Sequence, residues 1–110
     1  MKRIIICSLV LLAAGAVSVR AADAKETWEK DCAKCHGVDG TGKTKMGEKL
    51  GVRNLADAKV QAELKDEAMT KAIKEGVKDK GGEKTLMKAF PDLTDAEVKA
   101  LVAQVRSLKK

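Results

Sequence analysis

The stretch EKDCAKCHGVDGTGK, residues 29–43, contains two cysteines and the only histidine of the chain. Cys32, Cys35 and His36 fall within five consecutive positions. Three kinds of site use these residue types: a zinc site, a redox disulfide and a covalently attached haem. Each makes a different demand on the rest of the sequence, so the rest of the sequence can distinguish them.

The spacing of the three residues favours haem. A structural zinc site needs four ligands and a catalytic one three, and the only other cysteine is Cys7. A Cys-x-x-Cys disulfide motif expects a βαβ setting, which this sequence lacks. Cys-x-x-Cys-His is the attachment signature of c-type haem. We therefore predict that Cys32 and Cys35 form thioethers to the haem and that His36 ligates its iron.

The N-terminus predicts a secretory signal peptide. Lys2 and Arg3 precede an apolar run over residues 4–19, and small residues follow it. Cleavage is expected after Ala21 or Ala24, which divides the chain into a signal peptide, residues 1–21, and a domain, residues 22–110. The alternative is a permanent membrane anchor, but 16 uncharged residues are fewer than the ~20 that span a bilayer. The protein is therefore expected to be exported to the periplasm without a stable membrane anchor.

Composition limits the other functions. The chain has a net charge of +6, and residues 1–21 hold three basic residues and no acid, so the exported domain carries 6 − 3 = +3. Nucleic-acid binding needs a clustered basic face and usually stacking aromatics, whereas Trp28 and Phe90 are the only aromatic residues. No nucleic-acid partner is predicted. So few aromatics also predict a thin core, which the faces of a buried haem would complete.

The hydrophobic pattern predicts a small all-α domain, with three to five helices wrapped around one covalent haem. Helices are expected over residues 24–34, over residues 57–64, and from an Asp66 cap through Glu75 with a stop at Gly76. The last helix is the clearest, because Thr94 and Glu97 form a capping-box pattern before apolar residues at helical spacing. Residues 36–51 and 78–92 are expected to be loops, and no strand-like alternation appears.

The sixth iron ligand has several candidates in the sequence. A single histidine excludes bis-histidine ligation within one chain, which leaves methionine, lysine, a small molecule or an open position. Met46 lies close to His36 in sequence and would reach the opposite haem face with difficulty. Met69 sits on the apolar stripe of a helix and is expected to pack in the core. We predict Met87 as the ligand, since a His/Met pair suits electron transfer.

The sequence resembles the class I monohaem c-type cytochromes. The resemblance runs over nearly the whole exported domain and rests on CAKCHG, DGTGK, KLG, IKEG, MKAF and LTDAEVKALVAQVRSL. It implies an electron carrier and not an enzyme, with His36 and Met87 as iron ligands. It also implies crossing first and last helices and a partly exposed haem edge. The family's Phe or Tyr is replaced by Trp28, and its Gly-Pro pair by Gly47-Glu48. A backbone carbonyl near Glu48 is therefore expected to orient His36.

The lysines and the sixth ligand leave alternatives open. Several lysines flank the loops expected around the haem edge, and they either form a solvated surface or steer docking to an acidic redox partner, such as a membrane oxidase or reductase. The protein itself is expected to be a monomer. The alternative function is a haem peroxidase or small-gas sensor with a labile sixth site. The flanking lysines are Lys43, Lys45, Lys49, Lys84 and Lys88.

Overall fold

The computed structural model describes residues 21–110. The predicted signal peptide therefore lies outside the described residues, except for Ala21. The described part has five helical segments and one short hairpin, which agrees with the predicted all-α class. In chain order the elements are α1 (Ala21–Thr27), a π-helical turn (Trp28–Cys32), α2 (Ala33–His36), α3 (Lys45–Leu50), α4 (Ala58–Glu63), α5 (Asp66–Glu75), β1 (Val77–Lys78), β2 (Thr85–Met87) and α6 (Asp95–Ser107).

The first helical segment is formed by α1, the π-helical turn and α2 in continuous succession. It covers the predicted helix and continues to His36. Ala24 and Trp28 are its buried residues, and both belong to the hydrophobic core. The segment ends at Gly37, whose φ of 81° lies in a region that glycine adopts readily. The chain therefore leaves the helix immediately after the histidine.

Helix α3 lies in a stretch that we predicted to be a loop. The Thr44 side chain accepts a hydrogen bond from the Gly47 N–H and caps the helix. Gly51 ends it in the left-handed conformation, with a φ of 69°. The helix has only six residues, with a glycine inside it, so its apolar periodicity is too weak to predict it.

Helices α4 and α5 agree with the prediction except at one cap. The Asp57 side chain accepts from the Lys59 N–H at the start of α4. The prediction that Asp66 caps α5 is wrong, because the N-cap is Lys65 and its side chain makes no capping bond. Asp66 instead lies in the first helical turn, where a carboxylate interacts favourably with the helix dipole. Gly76 ends α5 with a φ of 77°, as predicted.

A short antiparallel hairpin joins α5 to the last part of the chain, where no strand was predicted. β1 pairs with β2, and Val77 faces Met87 across the pair. Between the strands, the Asp79 carboxylate accepts from the backbone N–H groups of Glu83 and Lys84. Strands of two and three residues are too short to show alternation. The hairpin nevertheless fixes the position of the segment that carries Met87.

Helix α6 is the centre of the core. Its predicted capping box is present, with Thr94 and Glu97 each bonded to the other's backbone N–H. The helix packs against both α1 and α5, so the expected contact between the first and last helices is confirmed. The buried core residues are Ala24, Trp28, Leu55, Met69, Ile73, Val98, Leu101, Val102 and Val105.

Over residues 21–110, no helix has both the length and the apolar character needed to cross a membrane.

The capping box makes a testable contribution to stability. Thr94→Ala removes the oxygen that accepts from the Glu97 N–H, so we expect the free energy of unfolding to fall by ~1 kcal/mol. Urea unfolding measures it. Thr94→Ser keeps the acceptor and is the matched control. An equal loss in both variants would mean that the cap contributes nothing.

Candidate functional site

Two adjoining cavities lie between the first helical segment, the hairpin and the core. The larger has a volume of about 480 Å³ and the smaller about 160 Å³. Both are lined mainly by apolar side chains. Five residues line both cavities, so the two form one continuous apolar region beside the core. The shared residues are Cys32, His36, Leu55, Leu64 and Met87.

The structure brings the predicted site residues to this region. Cys32, His36 and Met87 line both cavities, and Cys35 lines the larger one. The three motif residues Cys32, Cys35 and His36 come from the first helical segment, whereas Met87 comes from the end of β2. Residues that are far apart in the sequence therefore line the same cavities in the fold.

The backbone around the histidine is held by hydrogen bonds at successive carbonyls. The Thr44 hydroxyl donates to the Cys35 carbonyl at 2.7 Å, and the Gly42 N–H donates to the His36 carbonyl at 2.7 Å. The Gly37 carbonyl accepts from the Trp28 indole N–H at 3.1 Å and from the Gly40 N–H at 3.1 Å. The last carbonyls of a helix have no partner within the helix. Here they bind the residues that follow, which fixes His36 against the loop.

Gly47 allows this loop to approach closely. A Cβ atom on Gly47 would clash with the carbonyl oxygens of Cys35 and Gly42 and would come within 2.8 Å of the Thr44 hydroxyl. The requirement is one of space, since Gly47 has no positive φ. The sequence identified Gly47 only as part of a pair that resembles the family's Gly-Pro. Its role in packing depends on the Cys35 carbonyl, which no local pattern places beside it.

His36 has an environment suited to metal ligation. Burial lowers the pKa of its imidazole, which favours the neutral form that binds metal ions. Its Nδ1 atom is buried and has no hydrogen-bond partner in the described structure. The expected bond to a carbonyl near Glu48 is therefore absent from residues 21–110, and that expectation was wrong. Such an atom is an exception among buried polar groups, most of which are hydrogen-bonded.

The two cysteines are free thiols in the structure. Burial, followed by the nearby Asp31 and Cys35, raises the pKa of the Cys32 thiol to about 11. A reactive Cys-x-x-Cys pair depends on a lowered thiol pKa, so this environment does not favour disulfide exchange. Among residues 21–110, no group of three or more His, Cys, Asp or Glu side chains could hold a metal ion.

The methionines differ in their relation to the cavities. Met87 lines both, and it is half-buried against the core. Met69 is buried, lines the smaller cavity and belongs to the core, as predicted. Met46 is 40% exposed and lines neither cavity. The geometry thus leaves Met87 and Met69 as the two methionines near His36.

The charged residues that line the larger cavity are few. They are Asp31, Arg53 and Lys88. The Arg53 guanidinium donates to the Glu63 carboxylate at 2.5 Å, and both side chains are about half exposed. Of the five lysines predicted to border the haem edge, Lys88 alone lines this cavity.

Comparison with known proteins identifies the family. The cytochrome c profile matches residues 21–109, which is nearly all of the described chain. The chain belongs to the cytochrome c family. One similar solved structure is the KustC0563 c-type cytochrome, with 42% sequence identity and a TM-score of 0.68. The alignment covers 79% of this chain and 98% of the KustC0563 chain.

A second solved structure, a point mutant of KustC0563, gives nearly the same result. It has 42% identity and a TM-score of 0.67, and it covers 79% of this chain and 99% of its own. No curated protein matches the chain significantly. The predicted fold and family are therefore confirmed: this cytochrome c is an all-α, monohaem class I c-type cytochrome with covalently attached haem c.

The residues of this cytochrome c fit such a group. The attachment motif lies in the wall of an apolar region, where the His36 imidazole and the Met87 thioether are groups of the kinds that ligate haem iron. Members of the family are electron carriers. For the Cys-x-x-Cys-His motif, attachment of haem c therefore takes the place of the zinc site and the redox disulfide considered from the sequence.

Gly47→Ala tests the close packing beneath the motif. The new Cβ clashes with two backbone carbonyls, which cannot yield as a flexible side chain can. We expect the free energy of unfolding of the haem-loaded protein to fall by at least ~2 kcal/mol, which lies within the range for overpacking. Thermal or urea unfolding measures it.

Gly81→Ala is the matched control. Only the Asp79 carboxylate, at 3.8 Å, lies near a Cβ on Gly81, and its φ is not one that L-residues avoid. We expect little change there. If the Gly81 variant loses as much stability as the Gly47 variant, the close approach of α3 to Cys35 is not the cause.

Proposed function

We propose that this cytochrome c is an exported one-electron carrier whose iron is ligated by His36 and Met87. The observation that carries the proposal is the placement of the His36 and Met87 side chains in the walls of the same two cavities. His36 lies in the first helical segment and Met87 at the end of β2, so a haem bound between these two elements could be ligated by both residues. A His/Met pair favours electron transfer over substrate activation.

Each residue has a distinct part in this proposal. Cys32 and Cys35 would hold the porphyrin through thioethers. His36 would donate an imidazole nitrogen from a position fixed by its bonded backbone, and burial keeps that imidazole neutral. Met87 would donate its thioether sulfur. When bound, the haem supplies one-electron exchange at its iron.

The walls contribute by excluding water. Leu55, Leu64 and Ile73 belong to the apolar lining, and the first and last of these are buried. A low-polarity wall and a thioether ligand both favour the form of the iron with less charge, which raises the reduction potential. Such a potential suits a carrier that accepts electrons from one membrane complex and delivers them to another.

The alternative is a haem peroxidase or gas sensor with a labile sixth site. A peroxidase needs a distal acid–base group, and the sole histidine is His36. Arg53 lines the larger cavity but its guanidinium is bonded to Glu63. We therefore favour the carrier and not an enzyme.

Export and docking complete the proposal. Residues 1–21 have the pattern of a signal peptide, and c-type cytochromes are typically exported, which supports a periplasmic location. We propose that the protein acts as a monomer and docks to acidic redox proteins, such as a membrane oxidase or reductase. Lys88 lines the larger cavity and Lys84 directly precedes β2, so these two lysines are the ones nearest to Met87 in sequence.

The sixth ligand is tested by exchanging methionines. Met87→Ala should leave the haem attached but make the iron high-spin or open to added ligands, and should lower the reduction potential. The absorption band at the red end of the visible spectrum that reports a thioether bound to ferric haem should disappear.

Met69→Ala is the control, because Met69 lines the smaller cavity and is buried in the core. It should lower stability by ~2 kcal/mol or more and keep the band. Loss of the band in the Met69 variant alone would assign the ligand to Met69. Presence of the band in all variants would refute methionine ligation by either residue.

Docking is tested by charge reversal. The double variant Lys84→Glu/Lys88→Glu should slow electron transfer to the anion hexacyanoferrate(III), by about threefold or more at low salt, because the local field that attracts anions is reversed. The effect should fade as salt rises, since the Debye length is ~10 Å at 0.1 M. Stopped-flow kinetics measures the rate.

Lys59→Glu/Lys65→Glu changes the net charge equally and is the matched control. Both lysines are exposed and belong to α4 or follow it, and neither lines the larger cavity. The control should slow the reaction less. Equal slowing by the two double variants would show that net charge alone acts, and the lysines near Met87 would then be ordinary surface.

A further inference from the structure

Trp28 is the only tryptophan of the chain, and it lies beneath the attachment motif. The residue is 3% exposed and lines the smaller cavity together with His36. Its indole N–H donates to the Gly37 carbonyl at 3.1 Å and to the Val38 carbonyl at 3.2 Å. The side chain thus reaches forward along the chain and binds the two residues that follow the histidine.

Trp28 also contacts the histidine ring itself. The indole and imidazole centroids are 5.6 Å apart, and the two planes are inclined by 31°. This separation is within the range of favourable aromatic pairs. A haem-ligating histidine is usually oriented by a hydrogen bond from its second nitrogen, but His36 Nδ1 has no such partner among the described residues. The contact with Trp28 is therefore the side-chain interaction that constrains the imidazole.

The π-helical turn explains how the two rings meet. In a regular α-helix each residue advances by ~100°, so residues eight apart differ by ~80° around the axis. The Ala33 N–H donates to the Trp28 carbonyl, five positions back, and a π turn accommodates one extra residue. The eight positions from Trp28 to His36 then rotate about the helix axis by roughly as much as seven α-helical residues. This is close to two full turns and leaves Trp28 within ~20° of His36 around the axis. The turn brings both rings to one side.

We infer that Trp28 is a positioning residue for His36: its indole N–H ties down the backbone after the histidine, and its ring supports the imidazole. The inference rests on the proposed ligation by His36. A phenylalanine at this position could support the ring but could not donate to the two carbonyls. The indole nitrogen is therefore the atom whose removal distinguishes positioning from ordinary core packing.

The test removes that nitrogen and keeps the shape. Because Trp28 is the single tryptophan, a tryptophan auxotroph can replace it by 3-benzothienylalanine, in which sulfur takes the place of the N–H. 5-Fluorotryptophan keeps the N–H and is the matched control. Trp28→Phe removes the N–H by ordinary mutagenesis and provides a second variant. All are prepared as haem-loaded protein.

Two measurements read the result. Hydrogen exchange follows the Gly40 and Gly42 amides, which donate to the Gly37 and His36 carbonyls, with the Leu101 amide in α6 as the internal reference. The paramagnetic NMR spectrum of the oxidised protein follows the iron-shifted imidazole and haem-methyl resonances, whose pattern depends on the orientation of the histidine ring.

Without the N–H, we expect the Gly40 and Gly42 amides to exchange about fivefold faster than in the fluorinated control, since one net hydrogen bond is lost. Exchange at Leu101 should not change, and the haem-methyl pattern should shift. Equal acceleration at Leu101 would show that Trp28 only stabilises the core and would overturn the inference. So would an unchanged methyl pattern.

The failure of the proposed ligation has a different signature. If the unsubstituted protein shows no iron-shifted resonances from the His36 imidazole, His36 is not an iron ligand and Trp28 cannot position one. The exchange of Gly40 and Gly42 would still report whether the indole N–H holds the loop.

Discussion

The end of the first helical segment is the constraint on which the rest of the structure depends. The chain must turn away directly after His36, and Gly37 permits the turn. The carbonyls at that end accept hydrogen bonds from a hydroxyl and two N–H groups of the following loop and from the indole of Trp28. Since the Thr44 hydroxyl also caps α3, the motif, the loop and the next helix form one hydrogen-bonded unit.

The second requirement is a core built without aromatic bulk. Helix α6 supplies Val98, Leu101, Val102 and Val105, and Trp28 is the one aromatic residue buried in this core. A domain of this size buries little surface of its own. The apolar walls around the motif therefore add stability when they close on the haem, at about 25 cal/mol per Å² of apolar area removed from water. We therefore expect the haem of this cytochrome c to be structural as well as functional.

The sequence predicted those features whose signals are local. The capping box and apolar spacing of α6 and the Gly76 stop of α5 were predicted correctly, because each depends on residues a few positions apart. Helix α3 and the hairpin were missed because they are too short to show a period. Residues brought together from distant parts of the chain carry no such signal. Gln61 is an example: its buried amide donates to the Leu55 and Val105 carbonyls, the second of them 44 positions away.

The reduction potential of the site and the rate of encounter with a partner depend on different sets of residues. Of the residues that line it, Asp31 is negative, Lys88 is positive, and the charge of Arg53 is offset by Glu63. The near balance means that the lining itself places little net charge on the buried site. A field that attracts an acidic partner must then come mainly from lysines beyond the lining, through solvent, where salt screens it. Exposed charges of this kind change the rate of encounter, whereas the ligands and apolar walls determine the potential. The two properties can therefore change independently in this fold.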